Sequence, residues 1–399
     1  MNNQQKNKIF ESLIESLELP DSAYEKAKSR YEDISKWLCR EESRCRDNKP
    51  KIYPQGSFRL GTAIPPLGKT EEYDLDLVCN LQEGISKAIH SQQALKTLIG
   101  NEIEDYRLAA GIKEPKEEKH RCWRLNYADE LSFHMDVLPC IPSDEGKQKF
   151  IFETIMKAGE EEFIAKAVAK STVSITDDRH PRYRIICDDW HISNPEGYAQ
   201  WFIFRMKQAK QYLNERVLIT KAATIDELPI YRWKTPLQRC IQMLKRHRDQ
   251  MFEDDQDVKP VSIIISTLAA RAYRGEGDIE SAMRTILTSM PELVRSNKPR
   301  VPNPVNPVED FADRWSMPDG IKLNLEKNFW DWIKQARIDF DSFVSKDDAN
   351  FIAGQAKEKF KLNINSSDLA KKVGIALTSL SITPKTQTIT GQSPWCREA

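Results

Sequence analysis

The run Asp74-Leu75-Asp76-Leu77-Val78-Cys79 constrains this chain most, because it alternates with the period of a strand. Leu75, Leu77 and Cys79 share one face, while Asp74, Asp76 and Val78 share the other. Two carboxylates therefore point the same way, about 6 to 7 Å apart at two residue rises. Like charges held that close repel and raise a pKa unless a cation lies between them. A sheet built on this strand must be covered on its apolar face and served by a cation on the other.

The surrounding stretch, Tyr53 to Asn80 (YPQGSFRLGTAIPPLGKTEEYDLDLVCN), first makes a Gly56-Ser57 turn. Its backbone N–H groups and the Ser57 hydroxyl can meet a triphosphate. A later strand-like run, Leu131 to Cys140 (LSFHMDVLPC), alternates Phe133, Met135 and Val137 against His134, Asp136 and Leu138. Asp136 is expensive to bury alone, and a metal shared with Asp74 and Asp76 would supply its partner.

At 399 residues two domains are expected. A long amphipathic helix is predicted over 22–47, opened by Asp21-Ser22 and carried by Tyr24, Ala27, Tyr31, Ile34, Trp37 and Leu38. A helix over Ile85 to Leu98, the charged loop Lys113 to His120 and a strand over Cys122 to Tyr127 follow. Residues 151–170 read as helical and 171–190 as polar, and helical patterns then dominate: 196–214, 236–252, 260–274, 278–290, 321–344 and 346–361. The composition shifts near residue 190. Residues 1–190 form a mixed core with the spine helix, 191–382 a helical domain, and 383–399 a tail without apolar period. Val301 to Pro307 (VPNPVNP) reads as a proline-rich loop.

Lys+Arg and Asp+Glu both number 60, so no global basic field favours a long nucleic acid. Met1 to Leu17 has no signal-peptide pattern, no apolar run reaches transmembrane length, and the eight cysteines include no C-x-x-C pair. A cytoplasmic protein with reduced thiols and no membrane partner is expected.

Three carboxylates from two strands suit one or two hard cations such as Mg²⁺, whose shell is completed by water and substrate phosphates. Such a site lowers the pKa of an attacking hydroxyl and neutralises leaving pyrophosphate. Taken singly, Gly-Ser is equally a helix cap and Asp-x-Asp a solvated strand face.

The order Gly-Ser, Asp-Leu-Asp and a third Asp resembles the DNA polymerase β-like nucleotidyltransferase superfamily. The wording QGSFRLGT, EYDLDLV and HMDVLPCIP is similar to the bacterial cGAS/DncV-like nucleotidyltransferases. The resemblance implies an α+β fold: a polymerase β-like core with a mixed sheet plus an oligoadenylate synthase-like helical domain, two-lobed. It implies that Gln55, Gly56 and Ser57 bind triphosphate and that Asp74, Asp76 and Asp136 bind Mg²⁺, with Mn²⁺ as a substitute. Lys245 and Ser262, in LKRHRD and PVS, match the residues that hold the donor triphosphate, and Arg124 and Ser193 match positions near the nucleotides. The implied activity joins ATP or other ribonucleoside triphosphates into a cyclic di- or trinucleotide that a downstream effector reads in anti-phage (CBASS) defence. A ubiquitin-transfer-like enzyme conjugating Ala399 is a further implied partner. Two rivals stay open: an RNA 3′-end nucleotidyltransferase and a catalytically silent nucleotide sensor. Among the outer residues, Lys245 and Arg248 also read as a solvated face and Ser262 as a helix cap. His134 and His247 read as locally bonded, and Trp190 and Tyr198 as core aromatics.

Overall fold

The computed structural model describes residues 1–68, 72–127, 133–207 and 234–378. The elements run α1 (Asn3–Glu15), α2 (Asp21–Cys39), β1 (Pro50–Pro54), α3 (Gly56–Leu60), β2 (Tyr73–Leu81), α4 (Gln92–Ala109), β3 (Glu117–Glu118), β4 (Trp123–Tyr127) and β5 (Phe133–Pro142). Next come α5 (Glu145–Lys157), α6 (Glu162–Lys170), β6 (Val173–Ile175), β7 (Ile192–Ser193), α7 (Pro195–Lys207), α8 (Pro236–Met251), α9 (Ser262–Ala272) and α10 (Ile279–Leu293). The hairpin β8 (Pro302–Asn303) and β9 (Asn306–Asp310) precedes α11 (Pro318–Lys322), α12 (Leu325–Phe343), α13 (Ala349–Phe360) and α14 (Ser366–Val373).

The alternation read in the sequence builds the sheet, which runs β1-β2-β5-β4-β3, with β6 pairing β5 and β7 pairing β6. β2 and β5 are parallel, while their other neighbours are antiparallel, so the sheet is mixed. Leu75, Leu77 and Cys79 of β2 and Phe133, Met135 and Val137 of β5 point to one side. There they pack on Ala27, Tyr31, Ile34 and Leu38 of α2 and Leu95, Ile99 and Ile103 of α4. Each such side chain, fully removed from water, contributes roughly 1.5–3 kcal/mol. The opposite face carries the aspartates and, farther along, a small apolar patch of Tyr53, Val78, Leu138, Cys140, Val173 and Ile175.

A second, larger cluster joins the helices from α7 onward. Chain order does not separate the two clusters at residue 190, because Ile9, Phe10, Leu13 and Ile14 of α1, with Ile151, Ile155, Ile164 and Val168 of α5 and α6, pack into the helical cluster. Gln5 Nε2 donates to Gly374 O at 3.1 Å and Lys372 pairs with Glu15 at 2.6 Å, tying α1 to the segment around α14.

Several expected boundaries move. The spine helix stops at Cys39, where Arg40 turns extended (ψ 163°), and it is preceded by Pro20 and not by a side-chain cap. The helix expected over 85–98 occupies Gln92–Ala109, because Ser91 Oγ accepts from Ala94 N at 3.2 Å and starts it there. The stretch 151–170 is two helices broken around Gly159 (φ +86°), and 321–344 is broken by Asn324 (φ 54°). The proline-rich loop folds into the β8–β9 hairpin, where Asn303 Oδ1 accepts from Val305 N at 3.0 Å and Asn303 Nδ2 donates to Glu309 at 2.7 Å. The polar stretch 171–190 contains the short strand β6, whose three residues are all buried. Residues 208–214 of one expected helix, and the tail 383–399 with Ala399, lie outside the described residues. Among the described residues no helix is long and apolar enough to cross a membrane, and the seven cysteines are free thiols.

Candidate active site

Strand register assembles the acidic face. Asp76 lies directly beside Asp136, and Asp74 beside His134, across the parallel pair β2 and β5. Residues paired across adjacent strands project to the same side, so all three carboxylates share one face. Asp74 is exposed, and Asp76 and Asp136 are half-buried.

The turn after β1 closes on that face. Gln55 N donates to Asp76 O at 2.8 Å, extending the β1–β2 ladder one step past the Pro54–Leu77 pair. Gly56 then turns with φ +65°, and a Cβ there would fall 2.3 Å from Asp76 Oδ2. Only glycine allows both this conformation and this approach. Ser57 O accepts from Thr62 N at 2.9 Å, closing the short helix α3.

From the other side, α8 grips the segment that follows α3. Thr235 and Gln238 form a capping box and Pro236 occupies the first turn, which starts the helix sharply. Gln238, Gln242, Lys245 and Arg246 then fall on one side at helical spacing. Gln238 Nε2 donates to Leu60 O (2.9 Å), Gln242 Nε2 to Ala63 O (2.8 Å), Lys245 Nζ to Thr62 O (3.1 Å) and Arg246 Nη2 to Pro65 O (2.7 Å). Arg248 Nη1 donates to Ser262 Oγ at 2.8 Å and to Pro260 O at 3.0 Å, and its Nη2 pairs with Asp249 at 2.7 Å. Lys259 Nζ meets the same Asp249 at 3.0 Å. Ser262 opens α9 as its first residue, with Val261 in the cap position and making no side-chain bond, so the cap reading of Ser262 does not hold.

The groups act as one electrostatic unit. Burial, then Asp74 and Asp136, push the Asp76 carboxyl up to about 7 against the pull of Arg124 and Lys245. Desolvation by the surrounding groups likewise raises the Asp74 carboxyl, helped by Asp136 and opposed by Arg124, His134 and Lys259. Burial and then Arg248 lower Lys245 to about 7, while Asp249, Asp76 and Asp74 pull the other way.

Arg124, opposite Asp136 on β4, makes a two-pronged pair with it: Nε to Oδ1 at 2.7 Å and Nη2 to Oδ2 at 2.8 Å. His134 bonds Asn126 at 2.7 Å and Glu72 at 2.8 Å, and His247 bonds Asp339 at 3.0 Å, so both histidines are locally engaged. Trp190 and Tyr198 are core aromatics. Lys245 and Arg248 are buried, which removes the solvated-face reading.

The structure thus gathers Gln55, Gly56, the triad, Arg124 and Lys245, with Ser57 in the same turn and Ser262 linked through Arg248. Ser193 stands apart. It is level with Val173, which is level with Pro142, six residues beyond Asp136 and so about 20 Å along the strand. Lys259 and Thr62 were not singled out by the sequence. Lys259 belongs to no motif, and only its place beside Pro260, just before α9, marks it.

Among the described residues, no three His, Cys, Asp or Glu side chains are grouped closely enough to hold a metal ion, and both Asp136 oxygens accept from Arg124. The donor set nevertheless fits a hard cation. All three ligand candidates are carboxylates on one face, and the charged form of Asp76 is disfavoured by burial and by its two acidic neighbours, which a cation would relieve.

Residues 50–139 match the family model of the cyclic GMP-AMP synthase DncV-like nucleotidyltransferase domain. A c-di-GMP synthase of Roseivirga ehrenbergii is 32% identical over 340 residues, 81% of this chain and 78% of that protein. The cyclic dinucleotide synthase CdnG of Bradyrhizobium diazoefficiens is 26% identical over 77% of this chain and 69% of its own length. The structure of that CdnG in complex with GTP superposes with a TM-score of 0.60 at 19% identity, covering 92% of this chain and 98% of that one. With the fold, the acidic face and a relative this similar over most of both chains, the protein belongs to the DncV-like nucleotidyltransferases, the family of cyclic oligonucleotide synthases.

Proposed function

We propose that this chain condenses ribonucleoside triphosphates, GTP among them, into a cyclic dinucleotide, using the face formed by Asp74, Asp76 and Asp136. The observation that carries the assignment is the pairing of Asp76 with Asp136 under the Gly56 turn. Guanine is favoured because the Roseivirga relative is a c-di-GMP synthase and CdnG binds GTP.

In each round a ribose hydroxyl attacks the α-phosphate of a neighbouring triphosphate, a new P–O bond forms, and the bond to pyrophosphate breaks. The hydroxyl proton passes to solvent. The first round links two nucleotides, and the second closes the ring, so two pyrophosphates leave per cyclic dinucleotide. Asp74, Asp76 and Asp136 would hold Mg²⁺, which lowers the pKa of the attacking hydroxyl and stabilises charge on the leaving phosphates. Gln55, Gly56 and Ser57 present the turn to the triphosphate. Lys245, Lys259 and the Arg248–Ser262 pair supply the donors and positive charge on the helical side. We assign Arg124 to the nucleotides as well and give Ser193 no direct contact, because its register places it far along the sheet.

The sheet with α2 and α4 then forms one lobe and α7–α14, joined by α1, α5 and α6, the other, with substrates between β2/β5 and α8/α9. A role in anti-phage defence, an effector that responds to the product and conjugation at Ala399 are parts of the same proposal. Incubation of the purified protein with all four triphosphates and Mg²⁺ or Mn²⁺, followed by mass analysis, should yield a guanine-containing cyclic dinucleotide. Product formed only when RNA is added would point instead to an RNA 3′-end transferase. Asp74→Asn with Asp76→Asn should abolish turnover, and wild-type conversion by that variant would defeat the assignment.

A further inference from the structure

We propose that Arg124 is a resident counter-cation for Asp136, which keeps the third carboxylate out of the metal site until the phosphates of a bound nucleotide draw the guanidinium away. The proposal rests on the reading of the triad as a metal site.

Both oxygens of Asp136 are spent on one guanidinium, at 2.7 and 2.8 Å. Pairing of β4 with β5 places the two residues directly opposite each other, so the contact is built into the sheet. Glu117, opposite Arg124 on β3, feels its charge but gives its two oxygens to Lys119 and Asn126. Three carboxylates share one face, and the third of them accepts from Arg124 on both oxygens. About a quarter of the Arg124 side chain is exposed, which leaves it room to swing toward the cleft.

A guanidinium fork binds a phosphate as well as a carboxylate, and a triphosphate offers more charge than one aspartate. Transfer of Arg124 from Asp136 to phosphate would free the third ligand when substrate is present. Divalent ion and nucleotide would therefore bind cooperatively, each raising the affinity of the other by the same factor. Arg124 is on this view a positioning residue whose partner changes with loading.

The test is Mn²⁺ binding to the full chain, followed by electron paramagnetic resonance, with and without a non-hydrolysable GTP analogue. Arg124→Gln should bind Mn²⁺ about tenfold more tightly than wild type when no nucleotide is present. The enhancement produced by the analogue should shrink by a similar factor, with Arg124→Lys intermediate because it keeps the charge and loses the fork. Unchanged Mn²⁺ affinity and unchanged enhancement in a folded Arg124→Gln protein would overturn the proposal. Should that variant fail to fold, wild-type values in Arg124→Lys would do the same. If Asp74→Asn with Asp76→Asn leaves Mn²⁺ binding intact, the metal-site reading itself fails, an outcome separable from failure of the Arg124 role alone.

Discussion

Gly56 and Asp76 meet so closely that a methyl group on the glycine would fall 2.3 Å from a carboxylate oxygen. The left-handed backbone at Gly56 (φ +65°) adds a cost of about 1 kcal/mol for any other residue. Gly56→Ala should therefore reduce turnover by about a hundredfold or more while the protein still folds. Pyrophosphate release together with a melting curve measures both effects, and turnover near wild type would show that the turn can withdraw without loss.

Asp76 and Lys245 should give the metal-free protein a stability minimum near neutrality. Asp76 is raised to about 7, so the folded chain holds an extra proton between the ordinary carboxylate range and about 7, and stability falls as pH rises through that window. Lys245 is lowered to about 7, so between there and its ordinary value the folded chain holds fewer protons, and stability recovers as pH rises further. Melting temperatures in chelator from pH 5 to 9 should trace this dip, and Asp76→Asn should weaken its acid limb, to which the raised Asp74 also contributes. A flat profile in wild type would contradict both shifts.

Gln242 offers a test of the grip of α8 on the segment after α3. Gln242→Leu leaves Ala63 O without its 2.8 Å donor in a buried setting. A loss of about 1–3 kcal/mol in urea unfolding is expected. A raised KM for triphosphate should accompany it, because that segment is tied through the short helix α3 to the Gly56 turn. Stability loss with unchanged KM would separate the grip from the site.

His247 and Asp339 pair at 3.0 Å inside the helical cluster, with Lys359 at 3.5 Å from the same carboxylate. Burial would raise the Asp339 carboxyl, but hydrogen bonds from His247 and Gln335 outweigh it and hold it below its usual range. The stabilisation is present above the ordinary carboxylate pKa and lost as pH falls through the lowered value. Asp339→Ala should cost about 3 kcal/mol in chemical denaturation near neutrality. The difference from wild type should narrow under acid conditions.

The part of the site legible in the sequence is the part written with period two. Asp74, Asp76 and Asp136 interrupt apolar alternation, and that pattern alone assigns them a face. What it does not contain is the neighbour of each strand: the parallel pairing that brings Asp136 beside Asp76 is a property of the assembled sheet. The polar residues of α8 show a related limit. Lys245 and Arg248 also read as a solvated face, yet with Gln238, Gln242 and Arg246 they are buried against backbone carbonyls and Asp249, and hydropathy treats water and a carbonyl alike. Ser193 shows another limit, because its place in the Ser-Asn-Pro turn carries no measure of its distance from Asp136 along β5. The helix ends moved wherever a single residue, Arg40, Ser91 or Asn324, decided the local backbone.

The contact between α1 and α14 bears on how a cell makes this protein. Residues 3–15 leave the ribosome more than three hundred residues before residues 366–373, and their apolar faces share one cluster. The sheet can pair early, but the helical cluster that supports α8 must wait for the rest of the chain. A nascent or truncated synthase would thus carry its acidic strands without a completed cleft, so signal production would begin only with a finished molecule.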